Sequence, residues 1–276
     1  MTVLSVPSVP RPASRRLALS RSEAHSCGTM SYLDLGDKAA PAIVFVHGFA
    51  ADLLTWSFCL IPLAARYRVV AIDLPAHGRS ADAAGDCSLG FMAGWLSEAL
   101  DVLGIEMAHL VGHSMGGRIS LSMAEAHAKQ VISLTLISPA GMGGRFDRGA
   151  LEGFLIEGDQ ASARRAAAQL LGPQSQSSVD ALAASLQAAA PPARRDILLR
   201  FLRRIDAAHP SMGWYDWRGL SVPHQVIWGR SDRVIPLPPP QHLPARLHAL
   251  DGVGHLPHIE MPGRVTGLIT EFLNEL

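Results

Sequence analysis

The chain has 276 residues, enough for one large α/β domain or for a core domain with an inserted subdomain. Hydrophobic residues make up 48% of the composition and charged residues 17%, which excludes a disordered chain and favours a substantial core. The 24 basic and 24 acidic residues give a formal net charge of zero, so no overall field favours binding to nucleic acid or to anionic lipid.

Cysteine usage and the first residues bear on location. Cys27, Cys59 and Cys87 contain no Cys-x-x-Cys pair, and their odd number argues against a disulfide framework. A cytoplasmic location is the simplest expectation, and no apolar run approaches the 18 residues that suggest a membrane-spanning helix. The first 22 residues are rich in Pro, Ser and Arg and contain no acid, so we expect residues 1–27 to be a flexible segment.

Strand and helix patterns alternate from Gly28 onward. Strands are predicted at 29–36, 42–48, 68–75, 108–112 and 131–138. Helices are predicted between them at about 56–65, 88–103 and 115–129. The continuous apolar runs at 42–48 and 68–75 are typical of strands buried on both faces of a parallel sheet. This alternation predicts a parallel sheet whose reactive positions lie beyond the carboxyl ends of its strands.

The pattern changes after Gly144. Residues 145–218 are helical in composition and contain no β-rich run, so we predict a helical cap of three or four short helices. Strand patterns resume at 224–229 and 246–255, and a final helix is predicted from residue 262 to the end. The predicted core therefore consists of two pieces, 28–144 and 219–276.

A Gly-x-Ser-x-Gly motif at 112–116 contains the candidate nucleophile, Ser114. Its glycines allow a strand and a helix to approach while the chain reverses at the serine. A serine hydroxyl needs a base to take its proton and a third group to orient that base. Asp232 and His255 each follow a later predicted strand. Taken singly, Asp232 also fits a turn residue and His255 is one of twelve histidines, but their order after Ser114 favours a catalytic triad.

Five motifs resemble those of the α/β-hydrolase superfamily. They are FVHGF (45–49), DLPAHGRS (73–80), GHSMGG (112–117), WGRSDRVIP (228–236) and GVGHLPHIE (252–260). The resemblance implies a mostly parallel, eight-stranded sheet flanked by helices, with an inserted helical cap. It assigns Ser114 as nucleophile, His255 as base and then acid, and Asp232 as the partner of His255.

The same resemblance implies the surroundings of the nucleophile. The backbone N–H groups of Phe49 and Met115 would form the oxyanion hole. The expected substrate pocket includes His47, Gly48, Trp56 and His113. Among the departures from the family pattern, Ala76 stands where glycine is usual, which matters only if that position needs a positive φ.

Ser114 in this motif argues against relatives that use an aspartate there, the haloalkane dehalogenases and epoxide hydrolases. Locally the chain is most similar to the hydrolase-like C-terminal domain of the acetoin dehydrogenase E2 component, the dihydrolipoamide acetyltransferase, without its lipoyl domain. The resemblance implies a carboxylesterase- or thioesterase-like serine hydrolase that cleaves a small, mainly apolar acyl compound. Three alternatives stay open: an acyltransferase related to that component, a C–C bond hydrolase of the meta-cleavage-product type, and a non-catalytic binding module.

We expect no metal and no other cofactor. His242, His248, His255 and His258 lie near one another in the sequence but lack the His-x-x-x-His spacing of a helical metal site. The expected partner is a small acyl molecule, with no nucleic acid and no membrane insertion, for a monomer or a homodimer.

Overall fold

The structure is a computed structural model that describes residues 21–142, 146–208 and 214–276. In these residues it has eight strands: β1 Arg21–His25, β2 Gly28–Leu35, β3 Ala42–Val46, β4 Arg68–Ile72, β5 Ala108–His113, β6 Val131–Ile137, β7 His224–Gly229 and β8 Leu247–Leu250. Its α-helices there are α1 Ser57–Leu63, α2 Leu89–Val102, α3 Met115–Ala126, α4 Gly149–Glu157, α5 Gln160–Leu170, α6 Val179–Ala189, α7 Arg195–Ala208, α8 Pro257–Glu260 and α9 Pro262–Leu273.

All eight strands belong to one sheet, in the order β1-β2-β4-β3-β5-β6-β7-β8. The pairs β1–β2 and β2–β4 are antiparallel, whereas every pair from β4 to β8 is parallel. The predicted α/β fold with a mostly parallel, eight-stranded sheet is therefore confirmed. Because the parallel strands point the same way, their carboxyl ends meet at one edge of the sheet.

The two faces of the sheet pack against different helices. In β3, Ile43 and Phe45 belong to one apolar cluster with residues of α1 and α9, and Val44 and Val46 belong to another with residues of α2 and α3. This alternation follows from the two-residue period of a strand. Burying each such side chain contributes about 1.5–3 kcal/mol, so a continuous apolar run is stable only between two layers of helices.

The N-terminal boundary of the fold was predicted too late in the chain. We expected a flexible segment through residue 27, but Arg21–His25 forms β1 and pairs antiparallel with β2. Only His25 of this edge strand is buried, so its sequence, RSEAH, gives no alternating apolar signal. Residues 1–20 of the expected flexible segment lie outside the described residues.

Among the described residues between β6 and β7 are the four α-helices α4 to α7, and we call this part of the chain the helical insertion. Gly158, in the left-handed region with a φ of 70°, ends α4, and the Asp159 side chain then caps α5 by accepting from the Ser162 N–H. Arg194, between α6 and α7, attaches the insertion to the core. Its guanidinium donates to the carbonyl oxygens of Gly78 and Ser80 in the loop after β4.

Candidate active site

Ser114 lies at a sharp turn between β5 and α3, with a φ of 50° and a ψ of −115°. A non-glycine residue in this region is strained, and the surrounding structure holds it there. A Cβ on Gly112 would lie 2.5 Å from the Gly116 carbonyl oxygen, and one on Gly116 would lie 2.2 Å from the Val46 carbonyl oxygen. The glycines of the motif are therefore required by close packing of the backbone on both sides of the serine.

The three residues of the predicted triad meet at the carboxyl edge of the sheet. The Ser114 Oγ lies 3.0 Å from the His255 Nε2, and the His255 Nδ1 lies 2.7 Å from the Asp232 Oδ2. Because a carboxylate only accepts, Nδ1 carries the proton of a neutral imidazole, and the lone pair of Nε2 faces the serine hydroxyl. All three residues are buried.

The second carboxylate oxygen of Asp232 is also held in place. Its Oδ1 accepts hydrogen bonds from the backbone N–H groups of Val234 and Ile235, both at 2.9 Å. The carboxylate thus has backbone donors on one oxygen and the imidazole on the other. This arrangement fixes both the tautomer and the orientation of the His255 ring.

The loop that holds His255 is bonded directly to the helical insertion. The His255 N–H donates to the Leu170 carbonyl oxygen at 2.7 Å. The Glu260 carboxylate accepts from the Gly254 N–H through one oxygen and from the Gly172 N–H through the other, both at 2.8 Å. Glu260 therefore ties the residue before His255 to the end of α5. The sequence analysis did not identify it, although it lies inside the GVGHLPHIE motif.

His113 bonds to the backbone of His255, and His258 packs against His113. The His113 Nε2 donates to the His255 carbonyl oxygen at 2.9 Å, and its ring centroid lies 4.5 Å from that of His258. Burial lowers the pKa of His113 well below 6.5 and that of His258 to about 3, so both rings are neutral near pH 7. The sequence analysis did not single out a role for His258, whose only signal was its place three residues after His255.

The loop after β3 contains Phe49 and is shaped by His47. The His47 Nε2 accepts from the Leu74 N–H at 3.0 Å, so its Nδ1 carries the proton and donates to the Gly48 carbonyl oxygen at 2.7 Å. Burial lowers the pKa of His47 to about 4. Phe49 and Met115 both line the cavity beside Ser114, and Met115 opens α3, where N–H groups have no intrahelical partner. Their joint role as an oxyanion hole stays a prediction.

A cavity of about 610 Å³ opens beside Ser114 between the sheet and the helical insertion. Its walls are mainly aliphatic: Leu151, Leu170, Leu171, Leu186, Leu202 and Val234. Of the predicted pocket residues, His113 lines the cavity but Trp56 does not. Trp56 is fully buried, and its ring packs against Phe45 and His258 at centroid distances of 5.1 and 4.4 Å. It is a core residue because the short helix Leu53–Trp56 turns this side chain inward.

His47 and Gly48, which were also expected in the pocket, lie outside the cavity wall. His47 is completely buried beneath the loop, and neither residue is part of the cavity wall. A Cβ on Gly48 would lie 2.6 Å from the His113 Nδ1, so this position packs against the histidine rather than facing a ligand. Both residues therefore pack behind the cavity wall and do not face a ligand.

Two kinds of feature are absent from the residues that the structure describes. Within them, no cluster of three or more His, Cys, Asp or Glu side chains is placed to hold a metal ion. No helix in residues 21–142, 146–208 and 214–276 has the length and apolar character needed to cross a membrane. The three cysteines are all free.

The family model for the alpha/beta hydrolase fold matches residues 41–262. The acetyltransferase component of the acetoin cleaving system from Cupriavidus necator is 45% identical over 116 residues, 42% of this chain and 31% of that protein. The chain thus matches less than a third of this relative. The pimeloyl-[acyl-carrier protein] methyl ester esterase of Methylococcus capsulatus is 32% identical over 256 residues, 84% of this chain and 94% of that protein.

Solved structures are similar over nearly the whole chain. One is the meta-cleavage product hydrolase of Pseudomonas fluorescens IP01, which superimposes with a TM-score of 0.81 and covers 93% of this chain and 98% of that one. Sequence identity in this pair is 21%, so the likeness concerns the fold.

Proposed function

Because this chain belongs to the α/β-hydrolase fold family, we propose that it is a serine hydrolase that cleaves an ester or thioester of a mainly apolar acyl compound. The observation that supports this proposal is the continuous hydrogen-bonded series from the Ser114 Oγ through the His255 imidazole to the Asp232 carboxylate. Hydrolase relatives, including the methyl ester esterase, agree with this class of reaction.

The proposed reaction has two halves. In the first, the Ser114 Oγ attacks the acyl carbon while its proton passes to the His255 Nε2. The tetrahedral intermediate collapses, and His255 returns that proton to the leaving oxygen or sulfur, which leaves an acyl-enzyme on Ser114. In the second half, a water molecule gives its proton to His255 and attacks the acyl carbon. The acid is released and the Ser114 hydroxyl is restored.

Charge develops on the acyl oxygen in both halves. We assign its stabilisation to the backbone N–H groups of Phe49 and Met115, which flank Ser114 at the cavity wall. Each such donor is worth roughly 3–4 kcal/mol in enzymes where one has been removed. Asp232 balances the positive charge that His255 gains in each half, because its carboxylate lies 2.7 Å from the Nδ1.

The helical insertion is proposed to act as a cap. It supplies aliphatic walls to the cavity, including Leu182 and Leu186 of α6, while the sheet edge supplies Ser114 and His255. A substrate between these layers is largely removed from water, which strengthens every electrostatic interaction with the developing charge. The cap thus contributes both apolar binding and a low-dielectric environment.

The cavity wall bears on the C–C hydrolase alternative. No lysine or arginine is found among the described residues that line it. A relative named as a 2-hydroxy-6-oxononadienedioate hydrolase acts on a dicarboxylate by its name, and a dicarboxylate needs cationic partners when it is buried. This wall therefore favours a neutral acyl group. Acyl transfer, as in the acetoin-cleaving relative, would use the same acyl-enzyme with an acceptor other than water.

The test is release of nitrophenol from esters by wild type, Ser114→Ala and a control, Ser97→Ala. Alanine retains the Cβ of Ser114, so the strained turn is unchanged and only the hydroxyl is lost. Ser97 is a partly buried serine on α2, bonded to Gln130 away from the site. We expect turnover and fluorophosphonate labelling in wild type and Ser97→Ala and neither in Ser114→Ala. Labelling that persists in Ser114→Ala would refute the assignment, and its absence from wild type would favour a non-catalytic module.

A further inference from the structure

We infer that the substrate of this hydrolase site is a neutral ester with a long, unbranched alkyl chain, whose far end lies outside the cavity on an apolar stripe formed by Leu54, Phe58 and Ile61. The inference rests on the proposed function and extends it by naming the substrate class. It also assigns these three residues as determinants of chain-length preference.

The stripe is a row of large apolar side chains in water. Leu54 is 62% exposed, Phe58 is 69% exposed and Ile61 is 61% exposed. Their spacing of four and then three residues places them on one side of the Leu53–Trp56 turn and α1. Single exposed apolar residues are ordinary on protein surfaces, whereas contiguous ones mark a binding surface.

The opposite side of the same segment is already occupied by the core. Trp56, Cys59, Leu60 and Leu63 are all buried, so α1 is apolar on both sides. A surface helix needs only one apolar side to pack against its own protein. The stripe is therefore available to a ligand without any change in the packing of α1.

The stripe is continuous with the cavity. Leu54 and Phe58 line the cavity and are also exposed, and Ile61 lies one helical turn further from it. From Leu54 to Ile61 the stripe covers roughly 10 Å at the rise per residue of helical segments. A chain that leaves the cavity at Leu54 and Phe58 thus meets apolar surface for that distance. This continuity favours a substrate chain as the occupant over a separate protein partner.

Charge at the cavity mouth restricts the class of substrate. The described lining residues include no lysine or arginine, and the Asp52 carboxylate, beside Leu54, accepts from the Leu54 N–H at 2.9 Å. An anionic chain end would meet this acid, and Arg79, the cation that acts on Asp52, is not part of the cavity wall. A neutral alkyl chain has no such penalty.

Cavity size sets the length at which the stripe becomes important. At the ~30 Å³ that one water occupies, a volume of 610 Å³ holds on the order of twenty such units. A short acyl group and its leaving group fit inside this space, whereas a long alkyl chain reaches the mouth. Each methylene that is half removed from water there adds roughly a factor of two to kcat/KM. Three to four methylenes on the stripe give about a tenfold preference.

The test compares nitrophenyl butyrate, octanoate and dodecanoate, each below the concentration at which it forms micelles. The variants are the single substitution Ile61→Ser, the double substitution of Phe58→Ser and Ile61→Ser, and the control Val102→Ser. Val102 is an exposed apolar residue on α2. We expect kcat/KM of wild type to rise from butyrate to dodecanoate. The dodecanoate-to-butyrate ratio should fall by about threefold in Ile61→Ser and by about tenfold in the double variant, and should not change in Val102→Ser.

Binding of nitrophenyl dodecanoate and nitrophenyl butyrate to Ser114→Ala, with and without Ile61→Ser, gives a second readout that needs no turnover. An active enzyme whose ratio is unchanged by the stripe variants would overturn this inference and leave the proposed function intact. Loss of self-association on size-exclusion chromatography in Ile61→Ser, with an unchanged ratio, would also overturn it and assign the stripe to a second copy of the chain. Absence of Ser114-dependent turnover would instead count against the proposed function.

Discussion

Lowering the pH from 7.5 to 5.5 should destabilise this protein strongly, because of its buried histidines. Burial lowers the pKa of His47 to about 4 and the pKa values of His77 and His258 to about 3, from an ordinary value of 6.5. In the unfolded chain these side chains take up protons below pH 6.5, whereas in the folded protein they stay neutral at pH 5.5. Their contribution is therefore fully present above pH 6.5 and is lost as the pH falls towards 4 and 3.

The size of the effect follows from the linkage relation. Between pH 7.5 and 5.5 each of these histidines removes about 1.4 kcal/mol from the free energy of unfolding. At pH 5.5 the three together remove roughly 4 kcal/mol. His113, whose pKa burial also lowers well below 6.5, acts in the same direction. A domain has only about 5–15 kcal/mol of stability in total, so this loss is large.

Urea denaturation followed by tryptophan fluorescence at pH 7.5, 6.5 and 5.5 measures the effect. In His77→Asn one titrating group is gone, while the amide still donates in place of the Nδ1 to the Pro75 carbonyl oxygen. The loss between pH 6.5 and 5.5 should then be smaller by about 1 kcal/mol. His127→Asn, at a partly exposed position after α3, is the control and should keep the wild-type dependence. Equal stability at pH 7.5 and 5.5, or equal slopes in wild type and His77→Asn, would refute the reasoning.

Three further predictions concern single side chains. Ala76 has a φ of 62°, so Ala76→Gly should relieve about 1–2 kcal/mol of backbone strain, against a cost of about 0.5–1 kcal/mol in chain entropy. The Tm measured by calorimetry should therefore rise by roughly 1–3 °C, and a lower Tm would contradict this reasoning. Glu260→Gln replaces one acceptor oxygen by an amide donor that faces a backbone N–H, so kcat should fall about tenfold with little change in KM. Full activity would show that the link from Gly254 to Gly172 through Glu260 is dispensable. Asp232→Asn should lower kcat by about 10³–10⁴-fold with unchanged circular dichroism, and a small loss would argue for another acid.

The sequence predicts the sheet well because its inner strands are continuous apolar runs. The segments AIVFV and RVVAI are buried at every position in β3 and β4, and burial on both faces demands that composition. The proximity of Ser114, Asp232 and His255 was also predictable, since these residues follow strands whose carboxyl ends must meet. In contrast, β1 is an exposed edge strand whose pairing is made by backbone hydrogen bonds, and its side chains give no signal.

Other features depend on contacts between distant parts of the chain. Trp56 was expected in the pocket, but the turn of one short helix decides whether its ring faces a ligand or the core. Glu260 bonds to Gly172, 88 residues away, and His258 bonds to Thr55, 203 residues away. No local periodicity encodes such partners. Ala76 lies between these two cases. The sequence shows that alanine stands where glycine is usual, but only the backbone shows that this position has a positive φ.

Two of the attachments between the helical insertion and the core lie on either side of α6. Gly172 is held to the His255 loop by Glu260, and Arg194 is held to the loop after β4 by its guanidinium. The residues between these points, 173–193, include α6 and contribute Leu182 and Leu186 to the cavity. Substitutions in this segment alter the cavity wall while both attachments stay in place. Residues 173–193 are therefore the segment to exchange when new substrate preferences are sought in this protein.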